Sequence, residues 1–207
     1  MSFPPDITSA LSGVTPSQLR NWRRGPSPLL VPEHGVRPTL YSFRDVVALR
    51  TMAKLRGEVS LQKVRRAFRS LKNLDLTDHP SRYKLVTDHD SIFLVEDDGA
   101  TDLVRRPGQQ VLVELDDVLA PFINLRKERV VDFRRPRPHL QVREARAGGW
   151  PTIADTRVPF DTIARLVAGG DIDPSEVKRF YPGVDAEAVA DAVSFQQQIE
   201  RIGGHTA

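Results

Sequence analysis

The spacing of apolar residues predicts two short helices at the start of the chain, joined by a tight turn. The first, over residues 7–12, is indicated by apolar side chains at i, i+3 and i+4, namely Ile7, Ala10 and Leu11. Gly13 supplies the turn. The second helix begins with a full capping sequence, in which Thr15 is the N-cap, Pro16 the first helical residue and Gln18 the third.

The second helix divides into a buried and an outward face. Leu19 and Trp22 lie three positions apart and share the buried face. The outward positions are held by Gln18, Arg20, Asn21, Arg23 and Arg24. Glutamine, asparagine and arginine side chains suit base edges, and arginine suits phosphates. The segment alone fits an ordinary capped surface helix and a DNA-recognition helix equally well.

Two more helices and a hairpin complete the first third of the chain. Residues 29–31 and 37–41 flank a turn at Gly35 and predict a two-stranded wing. Ser42 then caps a helix whose apolar stripe is Phe43, Val46, Leu49, Met52 and Ala53. Ser60 opens the next helix, whose inward residues are Leu61, Val64, Phe68 and Leu71. On its neighbouring face Arg65, Arg69 and Lys72 form a basic stripe, either a solvated face or a second phosphate contact.

The middle of the chain reads as short strands followed by a basic segment. Strand-forming runs at 83–86, 91–95, 103–106 and 111–114 are separated by turn sequences at 88–90, 97–99 and 107–108. A short helix is predicted over 115–123. Residues 126–147 are basic, contain Pro136 and Pro138, and read as a linker or arm, with 130–131 able to pair with 140–142. Such an arm stays solvated, touches DNA or enters an acidic pocket on a partner.

The last part of the chain predicts three short helices. An apolar stripe of Phe160, Ile163, Leu166 and Val167 is followed by Gly169-Gly170. Asp173-Pro174-Ser175-Glu176 is a capping box with a proline at the first helical position, and this helix ends at Tyr181. Asp185 caps the final helix. The Thr156-Arg157 pair before these helices either braces its own loop or contacts a partner.

Composition narrows the range of functions. Residues 1–76 carry 13 Lys/Arg against 5 Asp/Glu, whereas the remainder carries 17 against 22, so a basic front end suited to a polyanion precedes an acidic remainder. There is no cysteine, no apolar run near the roughly 18 residues of a membrane span, and no secretory leader, so we expect a cytoplasmic protein without membrane contact. No catalytic constellation or phosphate-binding loop is legible, so we expect neither an enzyme nor a cofactor. Asp88-His89-Asp90 is too tightly spaced to converge on one metal ion, and we expect no metal site.

The order helix, turn, helix, wing, helix, helix resembles the N-terminal DNA-binding domain of the MerR family. The matching residues are Gly13-Val14-Thr15-Pro16 with Leu19-Arg20, the strand from 37 to 41 leading into 42–46, and Val59-Ser60-Leu61. The resemblance implies that Thr15, Gln18, Arg20, Asn21 and Arg24 face DNA and that Arg37 contacts its backbone. The family's long dimerising helix and effector domain are not recognisable here, so the resemblance does not extend to an inducer sensor.

The C-terminal sequence resembles a bacterial domain of unknown function, family four hundred and thirty-three. The resemblance rests on Gly-x-Pro-x-Ile-x-x-Thr-Arg-Val-Pro over residues 149–159, a Gly-stopped helix, an acidic cap, Tyr-Pro and an Ala-rich helix. Asp155 stands where that family usually has glycine. If the backbone there has positive φ, aspartate tolerates it better than most residues do. The MerR-like part, the β unit and the C-terminal domain follow one another in an order similar to that of antitoxins from VapBC-type toxin–antitoxin pairs. The toxin of such a pair is a PIN-domain ribonuclease that holds a divalent metal with carboxylates.

We therefore predict an α+β protein. It comprises a MerR-like winged helix-turn-helix (residues 1–76), a small antiparallel β unit (77–125), a basic linker or arm (126–147) and a C-terminal three-helix, helix-turn-helix-like domain (148–207). The resemblance implies an antitoxin that binds operator DNA and silences a PIN-domain ribonuclease, with Arg134, Arg135, Arg137 or Arg157 reaching the toxin. Because one helix-turn-helix reads only a few base pairs, a homodimer is expected. The alternatives are a stand-alone transcription regulator and an interaction scaffold.

Overall fold

Seven α-helices and three small antiparallel sheets make up the structure, a computed structural model that describes residues 2–74, 78–96, 99–105, 110–111, 118–170 and 172–204. The α+β architecture predicted from the sequence is confirmed. The helices are α1 Pro5–Ser12, α2 Pro16–Trp22, α3 Phe43–Glu58, α4 Leu61–Asn73, α5 Phe160–Ala168, α6 Val177–Phe180 and α7 Ala186–Gly204. The strands are β1 Lys84–Thr87, β2 Ile92–Glu96, β3 Gly99–Asp102, β4 Gln110–Val111, β5 Phe122–Ile123, β6 Arg129–Val130, β7 Leu140–Gln141 and β8 Thr152–Ile153. Short 3₁₀ turns occupy Pro80–Arg82, Ala147–Gly149 and Pro174–Glu176.

Local capping sets the first helices. Gly13 ends α1 with φ 77°, a left-handed conformation that glycine adopts without strain. The Thr15 hydroxyl accepts from the Gln18 amide, and the Gln18 side chain accepts from the Thr15 amide, as the sequence predicts for a capping box. Ser42 and Asp45 form the same box at the start of α3.

The predicted two-stranded wing is wrong in its pairing. Across residues 23–42, all of which the structure describes, the ladder is reduced to an isolated bridge between Val36 and Thr39. Leu29 and Leu30 are buried in the core instead of forming a strand, and the Leu29 amide donates to the Trp22 carbonyl at 2.8 Å. Tyr41 pairs with Phe3, so this loop closes against the start of the chain.

The four-stranded sheet has the order β1-β2-β3-β4, and all its neighbouring pairs are antiparallel. The third strand begins at Gly99, which was expected to lie in a turn, and ends before Leu103, which is fully buried. His89 has φ 70° in the predicted 88–90 turn. The turn predicted at 107–108 and most of the predicted fourth strand lie outside the described residues, as do residues 115–117 of the predicted 115–123 helix. That helix prediction is wrong at its end, where Phe122–Ile123 is a strand.

Residues 126–147 combine buried apolar side chains with exposed basic ones. β6 pairs with β5 and β7 pairs with β8, so the predicted pairing of 130–131 with 140–142 is wrong. The apolar residues of the segment lie in the core, namely Val130, Phe133, Leu140 and Val142. Val130 packs on Gly13 and Phe133 meets the ring of Phe43, contacts that a local sequence pattern does not reveal.

The first and last parts of the chain share one hydrophobic core. Its buried residues run from Phe3 to Ile199. A chain of rings crosses it, because Phe3 stacks on Trp150, Trp150 stacks on Phe160, and Phe160 meets Phe195 of α7 edge-on, with centroids 5.6, 6.3 and 5.0 Å apart. Helix α7 also packs directly on α1. The helix-turn-helix is therefore supported by the C-terminal helix.

Candidate nucleic-acid interface

Helix α2 presents a polar, cationic face to solvent. Leu19 and Trp22, 2% and 4% exposed, anchor its inner side, which leaves Arg20 and Asn21 exposed, and Arg24 is exposed just beyond its end. These three side chains combine the donors and acceptors that base edges require with the charge that phosphates attract. The face that the sequence assigned to DNA is thus open on this surface.

Two of the predicted DNA-contacting arginines connect α2 to its surroundings. Arg23 caps the end of α2 and donates from Nη1 to the Thr39 hydroxyl at 2.5 Å, and that hydroxyl donates to the Val36 carbonyl. Arg65 of α4 donates to the Ser27 carbonyl at 2.8 Å, in the loop that leaves α2. Both side chains are half-buried. They fix the elements on either side of the α2 C-terminus.

The remaining predicted contacts fall around the same helix. Arg37 is exposed in the loop that Arg23 holds, and Arg69 is exposed one turn beyond Arg65 on α4. Thr15 and Gln18 are half-buried and form the capping box of α2. The exposed cationic side chains therefore extend from α2 to the 35–39 loop on one side and to α4 on the other.

The predicted toxin-contacting arginines differ in their surroundings. Arg134, Arg135 and Arg157 are exposed. Arg137 packs on α7 instead, where it donates to Gln198 Oε1 at 2.8 Å and lies 5.4 Å from the centre of the Phe195 ring. Burial lowers the pKa of its guanidinium.

The loop at Thr156 is braced by Thr156 and by Arg146. The Thr156 hydroxyl donates to the Ile153 carbonyl and accepts from the Val158 amide, each at 3.0 Å. Arg146, not Arg157, donates to a carbonyl of this loop, that of Thr156 at 2.9 Å. Asp155 has φ 57°, which accounts for glycine being usual there in the related domain.

A buried polar network lies under the 35–41 loop. Asp45, fully buried, accepts from the amides of Ser42 and Glu33, and His79 Nε2 lies 3.2 Å from its Oδ1. A hydrogen bond from the Ser42 hydroxyl lowers the pKa of Glu33, and burial raises the pKa of Tyr41 to about 12.

Glu33, Asp45 and His79 are also a group with the residue types of a metal site, since one ligand atom from each lies within 4.8 Å of the others. His79 Nδ1 contacts the Ser81 amide and hydroxyl, and its Nε2 faces Asp45. In the structure these contacts form a hydrogen-bond network between the start of α3 and the segment before β1. Sequence reasoning missed it because its members are far apart in the chain.

Sequence reasoning also missed a cleft beside the first turn of α2. It has a volume of about 390 Å³ and is bordered by α2, by the segment joining β5 to β6, and by α7. Two basic residues at this border, Arg126 and Arg129, were assigned to a basic arm for which DNA contact was one alternative, but not to a cleft beside α2. Their position depends on the pairing of β5 with β6, to which the sequence gives no local signal.

Comparison with known families gives one match in the N-terminal part of the chain and one in the C-terminal part. The model of the MerR HTH family of regulatory proteins matches residues 7–71, and that of a protein of unknown function, DUF433, matches residues 141–195. Neither a curated protein nor a solved structure matches the chain. The chain thus carries a MerR-like helix-turn-helix and a DUF433 domain, which confirms these two resemblances. Within the described part of the chain, none of the helices combines the length and apolar character needed to cross a bilayer.

Proposed function

We propose that this protein is a DNA-binding transcription regulator that reads duplex DNA with α2 and serves as the antitoxin of a PIN-type ribonuclease. The observation that carries the DNA-binding part is the exposure of Arg20 and Asn21 on a capped helix whose other face is buried, with Arg24 exposed just beyond the end of that helix. The match to a family of regulatory proteins over residues 7–71 supports it independently.

DNA binding is tested by fluorescence anisotropy with the DNA upstream of the protein's own gene and with a scrambled duplex of equal length. Arg20→Ala and Asn21→Ala each remove a side chain suited to base edges, so each should lower the preference for the upstream DNA by roughly 10- to 100-fold. Arg165→Ala, which removes an exposed charge from α5, is the control and should leave the preference unchanged. Equal affinity of the unaltered protein for both duplexes would contradict the proposal.

The regulator is proposed to bind as a homodimer. A single short recognition helix contacts only a few base pairs, and two copies on a two-fold site supply the missing specificity. In the absence of the family's long dimerising helix, the dimer contact is assigned to the β unit or the C-terminal helices. Sedimentation at micromolar concentration, with and without DNA, tests this assembly, and a monomer in both conditions argues against it.

The antitoxin part of the proposal rests on the C-terminal half. Its DUF433 match covers residues 141–195, and Arg134, Arg135 and Arg157 are exposed beside or within that stretch. An arginine side chain is suited to pair with the metal-binding carboxylates of a nuclease. Arg137 is the least suited of the four proposed contacts, because it already packs on α7.

Co-expression with the nuclease encoded beside this gene, if one is present, tests the antitoxin part. The Arg134→Ala/Arg135→Ala/Arg157→Ala variant should lose protection of RNA from the nuclease, while an Arg165→Ala/Arg179→Ala variant, which removes exposed charges from α5 and α6, should retain it. Full protection by the triple variant would refute these contacts. Absence of any co-purifying nuclease would leave a stand-alone regulator, and the DNA-binding part would be unaffected.

A further inference from the structure

The hairpin formed by β5 and β6 is fixed to the turn of the helix-turn-helix. Val130 of β6 is buried against Gly13, where an added methyl group would overlap the Val130 side chain. From the same hairpin, Asn124 Nδ2 donates to the Gly13 carbonyl at 3.4 Å. The hairpin is therefore packed against the turn that precedes α2, although it lies more than a hundred residues further along the chain.

Hydrogen bonds within the hairpin hold its tip in one shape. The Asn124 side-chain oxygen accepts from the amides of Arg126 and Glu128, at 2.9 and 3.1 Å. The Lys127 amide donates to the Asn124 carbonyl, and Lys127 itself has φ 62°. A tip closed in this way presents its side chains in a defined direction.

The exposed side chains of the tip are predominantly cationic. Arg126, Lys127 and Arg129 are exposed, and Glu128 is the one acid among residues 124–130, all of which the structure describes. Glu128 lies 3.5 Å from Arg126 Nε and 3.2 Å from Asn124 Nδ2. The tip thus carries a net positive charge.

The cleft of about 390 Å³ described above separates this tip from the first turn of α2. Its lining includes Thr15 and Pro16 at the start of α2, Arg126 and Arg129 of the hairpin, and Gln198 of α7. The opposite end of α2 meets the 35–39 loop through Arg23 and Thr39. Basic loops from two distant parts of the chain thus flank the two ends of the proposed recognition helix.

We propose that the β5–β6 hairpin is a second DNA-backbone contact, in which Arg126 and Arg129 bind phosphates of the strand that runs past the first turn of α2. This inference rests on the proposed DNA binding by α2. It extends the interface beyond residues 7–71, which are matched by the regulatory family, to a hairpin built by the middle of the chain. Phosphate contacts of this kind fix the register of the protein on the duplex and add affinity without reading sequence.

The test measures DNA affinity against salt concentration for the full chain and for Arg126→Gln/Arg129→Gln. The matched control is Arg165→Gln/Arg179→Gln, which also removes two exposed arginines, here from α5 and α6. Loss of two phosphate contacts should make the slope of log K against log salt about 1.8 less negative and weaken binding at 0.1 M salt by roughly 10- to 60-fold. Upstream and scrambled duplexes should lose affinity equally. Glu128→Gln keeps the acceptor for Asn124 but removes the acid, so it should strengthen binding a few-fold.

The outcomes distinguish failure of the proposed DNA binding by α2 from failure of the hairpin contact alone. If the unaltered chain binds no DNA, the function proposed for α2 fails and the hairpin contact fails with it. If the chain binds DNA but the hairpin variant keeps the unaltered slope, with circular dichroism showing it folded, only the hairpin contact is overturned. That result would assign the hairpin, with its exposed Ile123 and Leu125, to a protein partner instead. A loss confined to the upstream duplex would also overturn it, because phosphate contacts do not discriminate sequence.

Discussion

Arg50 is a fully buried arginine whose guanidinium is surrounded by backbone carbonyls. It is fully buried on α3 and donates to five backbone carbonyls, those of Leu11, Val118, Leu119, Ala120 and Val131. Its guanidinium also lies 5.1 Å from the centre of the Phe122 ring and 5.7 Å from that of Phe133. One side chain therefore connects the end of α1 to the segments on either side of the β5–β6 hairpin.

Replacement of Arg50 should strongly destabilise the fold. Arg50→Met retains apolar bulk but leaves several buried carbonyls without a donor, and each such group costs about 1–3 kcal/mol, so we expect a loss of about 4 kcal/mol or more. Arg50→Lys should recover only a small part, because an ammonium has three donors and lacks the planar fork. Urea unfolding followed by circular dichroism measures both. A loss below about 1 kcal/mol for Arg50→Met would show that the carbonyls find other partners.

Single residues were predictable where their partners are close in sequence. The capping boxes at Thr15 and Ser42 and the cap at Asp185 depend on neighbours within three or four positions. Arg50 and Arg137 were not predictable as packed residues, because their acceptors lie in segments far along the chain. A buried arginine and an exposed one look the same in a sequence.

At the scale of elements, the contact between the helix-turn-helix turn and the hairpin can be measured. Gly13→Ala places a methyl group against Val130 and imposes a positive φ on alanine, so we expect a loss of about 2–3 kcal/mol in unfolding free energy. Val130→Ala removes two methyl groups from the site of overlap, at a cost of about 1–2 kcal/mol by itself. The double variant should lose less than the sum of the two, by about 1 kcal/mol.

A remote glycine, Gly25, provides the control for that cycle. Gly25 also has positive φ, 91°, but an added methyl group there meets nothing within 4 Å. Gly25→Ala combined with Val130→Ala should therefore be additive, since the two sites share no contact. Additivity of Gly13→Ala with Val130→Ala would instead mean that the turn and the hairpin are energetically independent.

Elements were predictable from the sequence where an amphipathic period or a cap defines them, and pairings between elements were not. The stripe of Phe43, Val46 and Leu49 correctly predicts α3, whereas the two-stranded wing at 29–41 and the pairing of 130–131 with 140–142 are wrong. Both errors arise from short apolar runs such as Leu29-Leu30 and Val130-Val131. Such runs are equally compatible with a strand and with an irregular segment packed in a core. The same holds for the candidate interface, because helix α2 was predictable from its local sequence but the β5–β6 pairing that places a hairpin beside it was not.

At the scale of the whole molecule, the charge distribution divides the sequence into two parts, but the packing does not divide the structure in the same way. The first 76 residues are basic and the remainder is acidic, which suggests two separate units. In the structure, however, the ring chain from Phe3 through Trp150 to Phe160 and Phe195 joins them, and α7 packs on α1. Charge is therefore divided along the sequence although the basic and acidic parts share one core, so a change in the C-terminal part can alter the stability of the helix-turn-helix.

Unfolding of the helix-turn-helix should consequently be coupled to the C-terminal helix. The chain has two tryptophans, so in a Trp150→Phe background the fluorescence of Trp22 reports on α2 alone. Phe195→Ala, which empties a fully buried site on α7, should cost about 3–5 kcal/mol and lower the urea midpoint of Trp22 fluorescence and of far-ultraviolet circular dichroism together. Phe180→Ala, at a site on α6 that is 62% exposed, should shift neither. If Phe195→Ala moves the circular dichroism transition but leaves the Trp22 transition in place, the two halves fold independently. Binding at the DUF433 half would then have no route to the DNA-binding surface through stability.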